Sequence, residues 1–308
     1  IIGMDATCPE VVYEKIFNLT SQKLSFEKKW GKEPLIRISA AIDIACWDLI
    51  GKASGFPLYK LFGGYRDKVP CYVTCAYYRD GKDNKELKDE IEMLVGQGHQ
   101  GFKGKVGGLS LREDLERMNI IRDVIGDEKS LMIDVNRAWD LKTASEAVNL
   151  LKPINPFWLE EPVRWADDRR ELKLLSQKTE IPISGGESEL TIYGCRSMLE
   201  EQAIQILQFD CTMFGGFTAG KKLSALCEVN HVDIAPHHDC FIHAHIVAGS
   251  PSGLIVESFT DPERDPLQAE LFTNPPKIEN GWLYLNEEPG LGLNLSNDAL
   301  AKFGNKIL

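Results

Sequence analysis

Ionisable side chains recur along this chain, each at the end of a short apolar run. Successive runs end in Lys103-Gly104-Lys105, Asp134-Val135-Asn136, Glu160-Glu161, Glu187, Asp210, His237 and Glu257. One charged residue at a strand end is usually a solvated loop residue, but seven consecutive cases indicate a functional site. In barrel enzymes the active site lies at the carboxyl ends of the strands, so these residues are the candidates for chemistry.

Three of these side chains are carboxylates from consecutive runs, namely Asp134, Glu160 and Glu187. Carboxylate oxygens are hard ligands that suit Mg²⁺, which keeps positions open for water or substrate oxygens. Three carboxylates buried together without a cation would force at least one of them to take up a proton. A divalent metal ion is the simpler solution, and ion pairs with the nearby lysines are the alternative.

Alternation along a strand indicates which side chains point the same way. With a period of two, Lys103 and Lys105 share one face of their strand. Asp134 and Asn136 share a face in the same manner, so both pairs are predicted to point into the mouth of a barrel. A lysine near a metal ion and a second ammonium group loses its proton more readily, which makes Lys105 a candidate base.

The second candidate base is a histidine at the end of the seventh run. His237 and His238 are adjacent, alternation decides which of them faces inward, and we choose His237. Asp210, one run earlier, is placed to orient the imidazole and to stabilise its charge. His243 and His245 could imitate a pair of metal ligands, but they fall in a predicted helix, where packing or solvent exposure is the expectation.

The runs alternate with amphipathic stretches, which is typical of βα units and a parallel sheet. The runs are Val69–Tyr77, Gly101–Val106, Leu131–Asn136, Phe157–Pro162, Ile181–Glu187, Ala203–Asp210, Val232–His237 and Gly253–Phe259. Helical patterns between them include Lys85–Gln97, Leu111–Ile125, Leu141–Leu151 and Phe217–Asn230. Eight regular units favour a closed barrel. A doubly wound open sheet is the alternative, but no GxGxxG follows the first run.

Two segments fall outside this pattern. Ile38–Lys52 carries apolar residues at helical spacing and predicts a helix in a separate region. Trp282–Leu295 is rich in Gly, Pro and Leu with little periodicity, and we expect it to pack back on that first region. The chain begins with Ile1 rather than Met, in apparently helical sequence, so we expect a further N-terminal portion to precede it.

Composition excludes several classes of protein. A chain of 308 residues with 43% hydrophobic and 26% charged residues forms one large or two modest globular domains. The net charge of −11 argues against nucleic acid and membrane surfaces as partners. No apolar run approaches the roughly 20 residues of a spanning helix, so we expect a soluble, cytoplasmic protein. The eight cysteines are scattered without a CxxC pair, which predicts reduced thiols.

Several stretches resemble the mandelate racemase subgroup of the enolase superfamily. They are Ala40–Asp48, Gly51-Lys52-Ala53, Leu61-Phe62-Gly63-Gly64, Phe102–Gly107, Asp134-Val135-Asn136, Trp158–Pro162 and Gly186-Glu187. The resemblance implies an α/β fold with a modified TIM barrel, (β/α)7β, and a partial α+β capping domain. It assigns residues 1–66 to the helical remainder of the capping domain, 67–265 to the barrel, and 266–308 to a C-terminal segment that packs back on the capping domain.

Roles for the strand-end residues follow from the same resemblance. The Mg²⁺ ligands would be Asp134, Glu160 and Glu187. Lys105 would be one base, while Lys103 steadies the substrate carboxylate. Superfamily members use such Lys or His bases with Mg²⁺ beside an ene-diolate.

The last three strands also resemble the subgroup. Asp210 and His237 would form its His-Asp dyad, and Glu257 would donate a hydrogen bond to the developing enolate. Asn136 is a second candidate for substrate binding, beside the lysine named above.

Two residues depart from the pattern or adjoin it. Gly104 stands where the family usually has an apolar residue, and we expect it to leave a gap on the outward face of the strand. Glu161 is adjacent to a predicted ligand, and we expect it to make an ion pair behind the ligands rather than a metal bond.

The resemblance implies that the enzyme removes the proton α to a carboxylate. We expect β-elimination of water from an acid sugar to follow, giving a 2-keto-3-deoxy acid, because a Lys-x-Lys site with a His-Asp dyad is widespread among similar dehydratases. The alternative is a racemase or epimerase of a 2-hydroxy acid. A hydrolase barrel would prefer His-x-His where Tyr77-Tyr78 stands, and a non-catalytic scaffold would lack a ligand or a base.

Family members are commonly symmetric assemblies, so we expect a homo-oligomer that binds a small-molecule carboxylate. The family's capping domain opens with a strand meander whose loops close over the substrate. Nothing before Ile1 corresponds to that meander here, and substrate identity largely resides in it.

Overall fold

Four helices precede the first strand in the computed structural model, which describes residues 1–304. They are α1 (Pro9–Leu19), α2 (Lys23–Lys28), α3 (Lys32–Ser54) and α4 (Leu58–Leu61). The predicted helix over Ile38–Lys52 lies inside α3, and α1 packs on it through Val12, Ile16 and Cys46. The expectation that the chain begins within a helix is wrong, because α1 begins only at Pro9 and turns precede it.

Eight parallel strands follow in the order that the apolar runs predict. They are β1 (Lys68–Cys75), β2 (Gly101–Lys105), β3 (Ser130–Asp134), β4 (Trp158–Glu160), β5 (Ile183–Gly185), β6 (Ile206–Leu207), β7 (Asp233–Ile234) and β8 (Val256–Ser258). Each strand from β1 to β6 pairs with the next one along the chain, and β8 pairs with β1. A parallel bridge between Ile234 and Gly253 links β7 to the residues that lead into β8. The predicted α/β fold with a parallel, barrel-like sheet is confirmed.

A helix follows each of the first seven strands. These helices are α5 (Asn84–Gly96), α6 (Leu111–Ile125), α7 (Leu141–Leu151), α8 (Asp168–Ser176), α9 (Ile192–Glu200), α10 (Gly216–Val229) and α11 (Cys240–Gly249), with short 3₁₀ turns at Lys152–Ile154 and Trp165–Asp167. Capping boxes start α5 at Asp83 and α6 at Ser110, since each side chain accepts from the backbone three residues on.

The C-terminal segment contains short elements that the sequence pattern did not predict. They are α12 (Pro266–Glu270), β9 (Lys277–Glu279), β10 (Trp282–Tyr284) and α13 (Asn297–Phe303). Strand β10 pairs antiparallel with β1. Farther on, Gly290 accepts from the backbone N–H of Leu58, and Leu291 donates to Asp48 on α3. The segment therefore contacts both the sheet and the N-terminal helices.

The inner face of the sheet has an apolar layer directly below a polar one. Tyr72, Met132 and Trp158 belong to a buried cluster inside the ring of strands. Two residues farther along their strands, on the same face, stand Thr74, Asp134 and Glu160. Alternation therefore places the polar side chains at the carboxyl ends, above a filled interior.

The expected gap at Gly104 is not present. A Cβ atom built at this residue would lie 2.9 Å from Met118 Cε and 3.0 Å from Ile121 Cδ1, both on α6. Long side chains of the covering helix fill the space that a larger strand residue would occupy. Gly104 therefore allows α6 to pack closely behind the two lysines.

Two expectations from composition concern membranes and cysteines. Among residues 1–304, no helix is both long and apolar enough to cross a membrane. All eight cysteines are free thiols, and Cys8 is the exposed one.

Candidate active site

Lys103 on β2 lies among the side chains of the polar layer and is almost completely buried. Its Nζ lies 2.7 Å from Glu160 Oε1 and 2.7 Å from Glu257 Oε1, with Asp134 Oδ2 at 3.7 Å. Burial by itself lowers the pKa of Lys103, but the charges of Glu160 and Glu257 outweigh burial and raise the pKa well above its usual value. Lys103 is therefore a fixed ammonium group.

Lys105 ends β2 and points the same way as Lys103, as strand alternation predicts. It donates a hydrogen bond to Asp134 Oδ2 and lies 5.7 Å from the centre of the Tyr77 ring. Burial raises the pKa of Asp134, but the two lysine charges outweigh burial and lower it. Asp134 is thus a carboxylate that contacts two lysine side chains.

Asn136 lies beyond the end of β3. Its φ is 48°, in the left-handed region, and it is exposed. Strand alternation therefore does not extend to Asn136, and the prediction that it shares a face with Asp134 is wrong. The backbone N–H of Asn136 donates to Asp134 Oδ1 at 2.8 Å.

Glu160 is buried among three hydrogen-bond donors. Its Oε2 accepts hydrogen bonds from Trp158 Nε1 at 2.9 Å and from Gln208 Nε2 at 2.7 Å. Burial and the charge of Asp134 outweigh Lys103 and raise the pKa of Glu160 to about 7. Gln208 was not among the predicted site residues, although it lies in the predicted run Ala203–Asp210, where alternation places it on the same face as Asp210.

Glu161 is buried behind this layer. Its Oε1 accepts a hydrogen bond from the backbone N–H of Gly186 at 2.7 Å. Within the described residues no cation lies close enough for a salt bridge, so the expected ion pair is wrong. Burial and the charge of Glu187 raise the pKa of Glu161 to about 8.

Glu187 follows β5 and lies between a guanidinium group and an imidazole. Arg137 Nη2 is 3.2 Å from its Oε1, and His237 Nε2 is 3.6 Å from its Oε2. Arg137 was missed by the sequence analysis. It occupies a turn after β3 with a φ of 63°, and nothing in the sequence pattern distinguishes it from a surface arginine.

His237 and Asp210 form the predicted dyad. His237 Nδ1 lies 3.1 Å from Asp210 Oδ2, while Asp210 Oδ1 accepts from the N–H and Oγ1 of Thr212 at 2.8 and 2.7 Å. Burial lowers the pKa of His237, but the bond to Asp210 and the nearby carboxylates outweigh burial and raise it to about 9. The neighbouring His238 instead packs against Phe259, with ring centres 4.5 Å apart.

Glu257 on β8 accepts hydrogen bonds rather than donating one. Its Oε1 accepts from Thr74 Oγ1 and Lys103, and its Oε2 accepts from the backbone N–H of His238 at 2.9 Å. Burial raises the pKa of Glu257, but the charges of Lys103 and His237 outweigh burial and lower it. The structure thus presents an ionised carboxylate where the resemblance implied a hydrogen-bond donor.

The three predicted metal ligands are each paired with a cation, which is the alternative that the sequence left open. The pairs are Asp134 with Lys105, Glu160 with Lys103 and Glu187 with Arg137. Across residues 1–304, no three His, Cys, Asp or Glu side chains converge to hold a metal ion. The donor chemistry nevertheless fits a divalent cation, because the ligands are hard oxygens and, after burial, the charges of neighbouring carboxylates raise the pKa of Glu160.

A cavity of about 630 Å³ opens between β1, α5 and the segment after β8. Thr74, Tyr77 and Arg264 contribute to its wall, and the Arg264 guanidinium lies 3.6 Å from the centre of the Tyr77 ring. None of the predicted metal ligands lines this cavity. We therefore place the chemistry at the polar layer rather than in this cavity.

Comparison with known proteins agrees with this geometry. Residues 86–299 match the family described as enolase C-terminal domain-like. The chain is 29% identical over 270 residues to an arabinonate dehydratase of Saccharolobus solfataricus, covering 86% of this chain and 71% of that enzyme. It is 30% identical over 269 residues to a 3,6-anhydro-alpha-L-galactonate cycloisomerase of Streptomyces coelicolor, covering 85% and 71%.

A solved structure has the same fold. The L-talarate dehydratase of a Polaromonas species, crystallised with Mg and L-glucarate, superposes with a TM-score of 0.86 at 30% identity, covering 97% of this chain and 80% of that one. The matched family, the relatives and the ordered acidic and basic residues all lead to one assignment. The chain belongs to the enolase superfamily, in the group of mandelate racemase/muconate lactonizing enzymes and acid-sugar dehydratases.

Proposed function

We propose that this chain is a Mg²⁺-dependent acid-sugar dehydratase. It would remove the proton α to the substrate carboxylate and eliminate the β-hydroxyl as water, which gives a 2-keto-3-deoxy acid. Asp134, Glu160 and Glu187 form a row of carboxylates. The observation that carries the proposal is the placement of Lys105 and His237 at opposite ends of this row. Lys105 bonds to Asp134 on β3, whereas His237 lies 3.6 Å from Glu187 after β5.

The metal would be held by the three carboxylates at the ends of β3, β4 and β5, namely Asp134, Glu160 and Glu187. Bound Mg²⁺ supplies positive charge beside the substrate carboxylate and so stabilises the negative charge that develops when the α-proton leaves. Lys103, a buried ammonium group between Glu160 and Glu257, would bind the substrate carboxylate.

Proton transfer is assigned to the two basic side chains. Lys105, as the neutral amine, would take the α-proton on its Nζ and become an ammonium group. His237 would donate the proton on its Nε2 to the departing β-hydroxyl, because hydroxide is a poor leaving group without acid assistance. Asp210 accepts from Nδ1 and so keeps Nε2 turned toward the site. The enol that remains takes up a proton and becomes the keto acid.

Two residues are proposed to bind or orient rather than to transfer protons. Asn136 is exposed in the turn after β3 and would offer its amide to substrate hydroxyls. Glu257, which accepts from Thr74, Lys103 and His238, would hold Lys103 in place for the substrate carboxylate.

The alternative is a racemase or epimerase of a 2-hydroxy acid. The same placement of Lys105 and His237 would let the two groups exchange the α-proton on opposite faces of the substrate. The arabinonate and talarate dehydratases among its relatives support the elimination reaction instead. Family resemblance also supports a homo-oligomer, which sedimentation analysis would test.

The experiment is a screen for α-keto acid formation. The protein with Mg²⁺ is incubated with a stereochemically complete panel of aldonic and aldaric acids, and the keto acid is trapped with a hydrazine reagent. We expect one or a few stereoisomers to give product. A parallel measurement of optical rotation on 2-hydroxy acids detects the alternative, and activity only there would overturn the dehydratase proposal.

A further inference from the structure

A third histidine lies directly behind the dyad and takes no part in the proposed reaction. His243 belongs to α11, and its side chain is 0% exposed. Its Nδ1 lies 2.9 Å from the carbonyl oxygen of His238, and its Nε2 lies 2.9 Å from the backbone nitrogen of Cys211. One ring therefore bonds to the backbone at two points that are 27 residues apart in sequence.

The two backbone partners fix the protonation of this ring. A carbonyl oxygen only accepts, so His243 Nδ1 carries a hydrogen, and a backbone N–H only donates, so Nε2 presents its lone pair. Asp210 Oδ1, 3.4 Å from the same Nε2, would favour a proton there by its charge, but the Cys211 N–H already points at that atom. In this geometry His243 donates through Nδ1 and accepts through Nε2.

Each backbone partner is the immediate neighbour of a dyad residue. Cys211 follows Asp210, and His238 follows His237. His238 also has a φ of 59°, in the left-handed region that non-glycine residues rarely adopt. Such a turn persists only where surrounding contacts hold it, and the bond from His243 to the His238 carbonyl is one of them.

We propose that His243 is a positioning residue that sets the distance and orientation of His237 relative to Asp210. It joins the turn after β6 to the turn after β7 without touching substrate. The inference rests on the proposed function in so far as His237 transfers a proton. A displacement of about 1 Å at a reacting group can lower the rate roughly 10²-fold, so loss of the bridge should appear in the chemical step.

Three variants separate the two bonds. His243→Phe keeps a ring and removes both bonds, His243→Asn keeps an N–H near the Nδ1 position, and His243→Gln keeps an acceptor near the Nε2 position. We expect kcat to fall about 10- to 100-fold in the Phe variant, with KM changed less than about twofold, since substrate binding lies elsewhere. The Asn and Gln variants should recover part of kcat, and they remain informative if the Phe variant does not fold.

The same helix provides a matched control. His245 is 1% exposed and its Nε2 bonds to the carbonyl of Leu291, away from the dyad. His245→Phe should lower the Tm to a similar extent and leave kcat unchanged per folded molecule. The proposal is wrong if His243→Phe, corrected for its folded fraction, has the kcat of His245→Phe.

A spectroscopic measurement on the free protein makes the outcome independent of the reaction. In ¹⁵N-labelled protein, we expect His243 to show a protonated Nδ1 and a bare Nε2, and His237 to show a downfield Nδ1–H resonance from its bond to Asp210. That resonance should be lost in His243→Phe and kept in His245→Phe. If the resonance is lost in His243→Phe and kept in His245→Phe while no acid sugar is turned over, the proposed function fails and the positioning role stands. If it persists in His243→Phe, the positioning role is refuted.

Discussion

Lys103 and Glu160 form a buried ion pair that reaches across an intervening strand. The distance from Lys103 Nζ to Glu160 Oε1 is 2.7 Å, and the two side chains are 1% and 0% exposed. They belong to β2 and β4, which are separated by β3. The same ammonium group lies 2.7 Å from Glu257 on β8, on the other side of β1. One cation thus holds together carboxylates from both directions around the sheet.

Removal of this cation should destabilise the metal-free protein. We expect Lys103→Met to lower the free energy of unfolding by about 3–5 kcal/mol, because it leaves buried carboxylates without a partner. Urea unfolding without divalent metal measures the change. The matched control is Lys85→Met, since the pair of Lys85 with Asp89 is solvent-exposed and contributes little to the stability of the fold. Equal effects of the two substitutions would contradict the account of the polar layer.

Calorimetry with Mg²⁺ tests the assignment of the metal ligands. We expect the wild type to bind one divalent cation and Glu187→Gln to lose that binding, because the substitution replaces a charged oxygen ligand by a neutral amide. Glu189→Gln serves as the control, since Glu189 in the same loop pairs with Arg169. Full-strength Mg²⁺ binding by Glu187→Gln would remove that residue from the ligand set.

The stability of the fold should depend on His245 below neutral pH. Burial outweighs the bond to Leu291 and lowers the pKa of His245 from 6.5 to about 4. The unfolded chain therefore binds more protons between pH 4 and 6.5, so the free energy of unfolding rises with pH in that window. The contribution is complete above pH 6.5 and lost as the pH falls toward 4, by about 3 kcal/mol at 1.36 kcal/mol per unit.

The difference between wild type and His245→Phe isolates this effect. Denaturant unfolding is measured for both proteins at several pH values from 4 to 7. We expect the wild type to lose more stability than the variant as the pH falls through this range, because phenylalanine does not titrate. Parallel curves would show that His245 has the same proton affinity in the folded and unfolded chains.

The sequence predicted the regular part of the fold closely. Leu111–Ile125 and Leu141–Leu151 are helices with the predicted bounds, since their apolar spacing and N-terminal signals agree. The strands were predicted too long at their carboxyl ends. The residues that follow the last hydrogen bond between strands continue the sequence pattern of the run, although they no longer pair. Strands β9 and β10, three residues each, are too short for any periodicity to appear.

Side chains that follow strand alternation could be predicted, and those in turns could not. Lys103, Lys105 and Asp134 lie within β2 and β3 and meet as their positions imply. Asn136 and Arg137 have positive φ values of 48° and 63°, so their directions depend on a turn that has no sequence signature here. The division into domains and the catalytic roles of the site residues stay predictions.

The central claim is that Lys105 takes the α-proton and that His237 protonates the departing β-hydroxyl. The most direct test is a reaction in D₂O with an acid sugar that the wild type dehydrates. We expect His237→Asn to lower the release of the 2-keto-3-deoxy acid by about 10²–10⁴-fold while the recovered substrate still gains deuterium at the α-carbon, because Lys105 remains. Keto acid release by His237→Asn at the wild-type rate would contradict the account. If no acid sugar gives a keto acid and the wild type instead inverts an α-centre with deuterium incorporation, the racemase replaces the dehydratase.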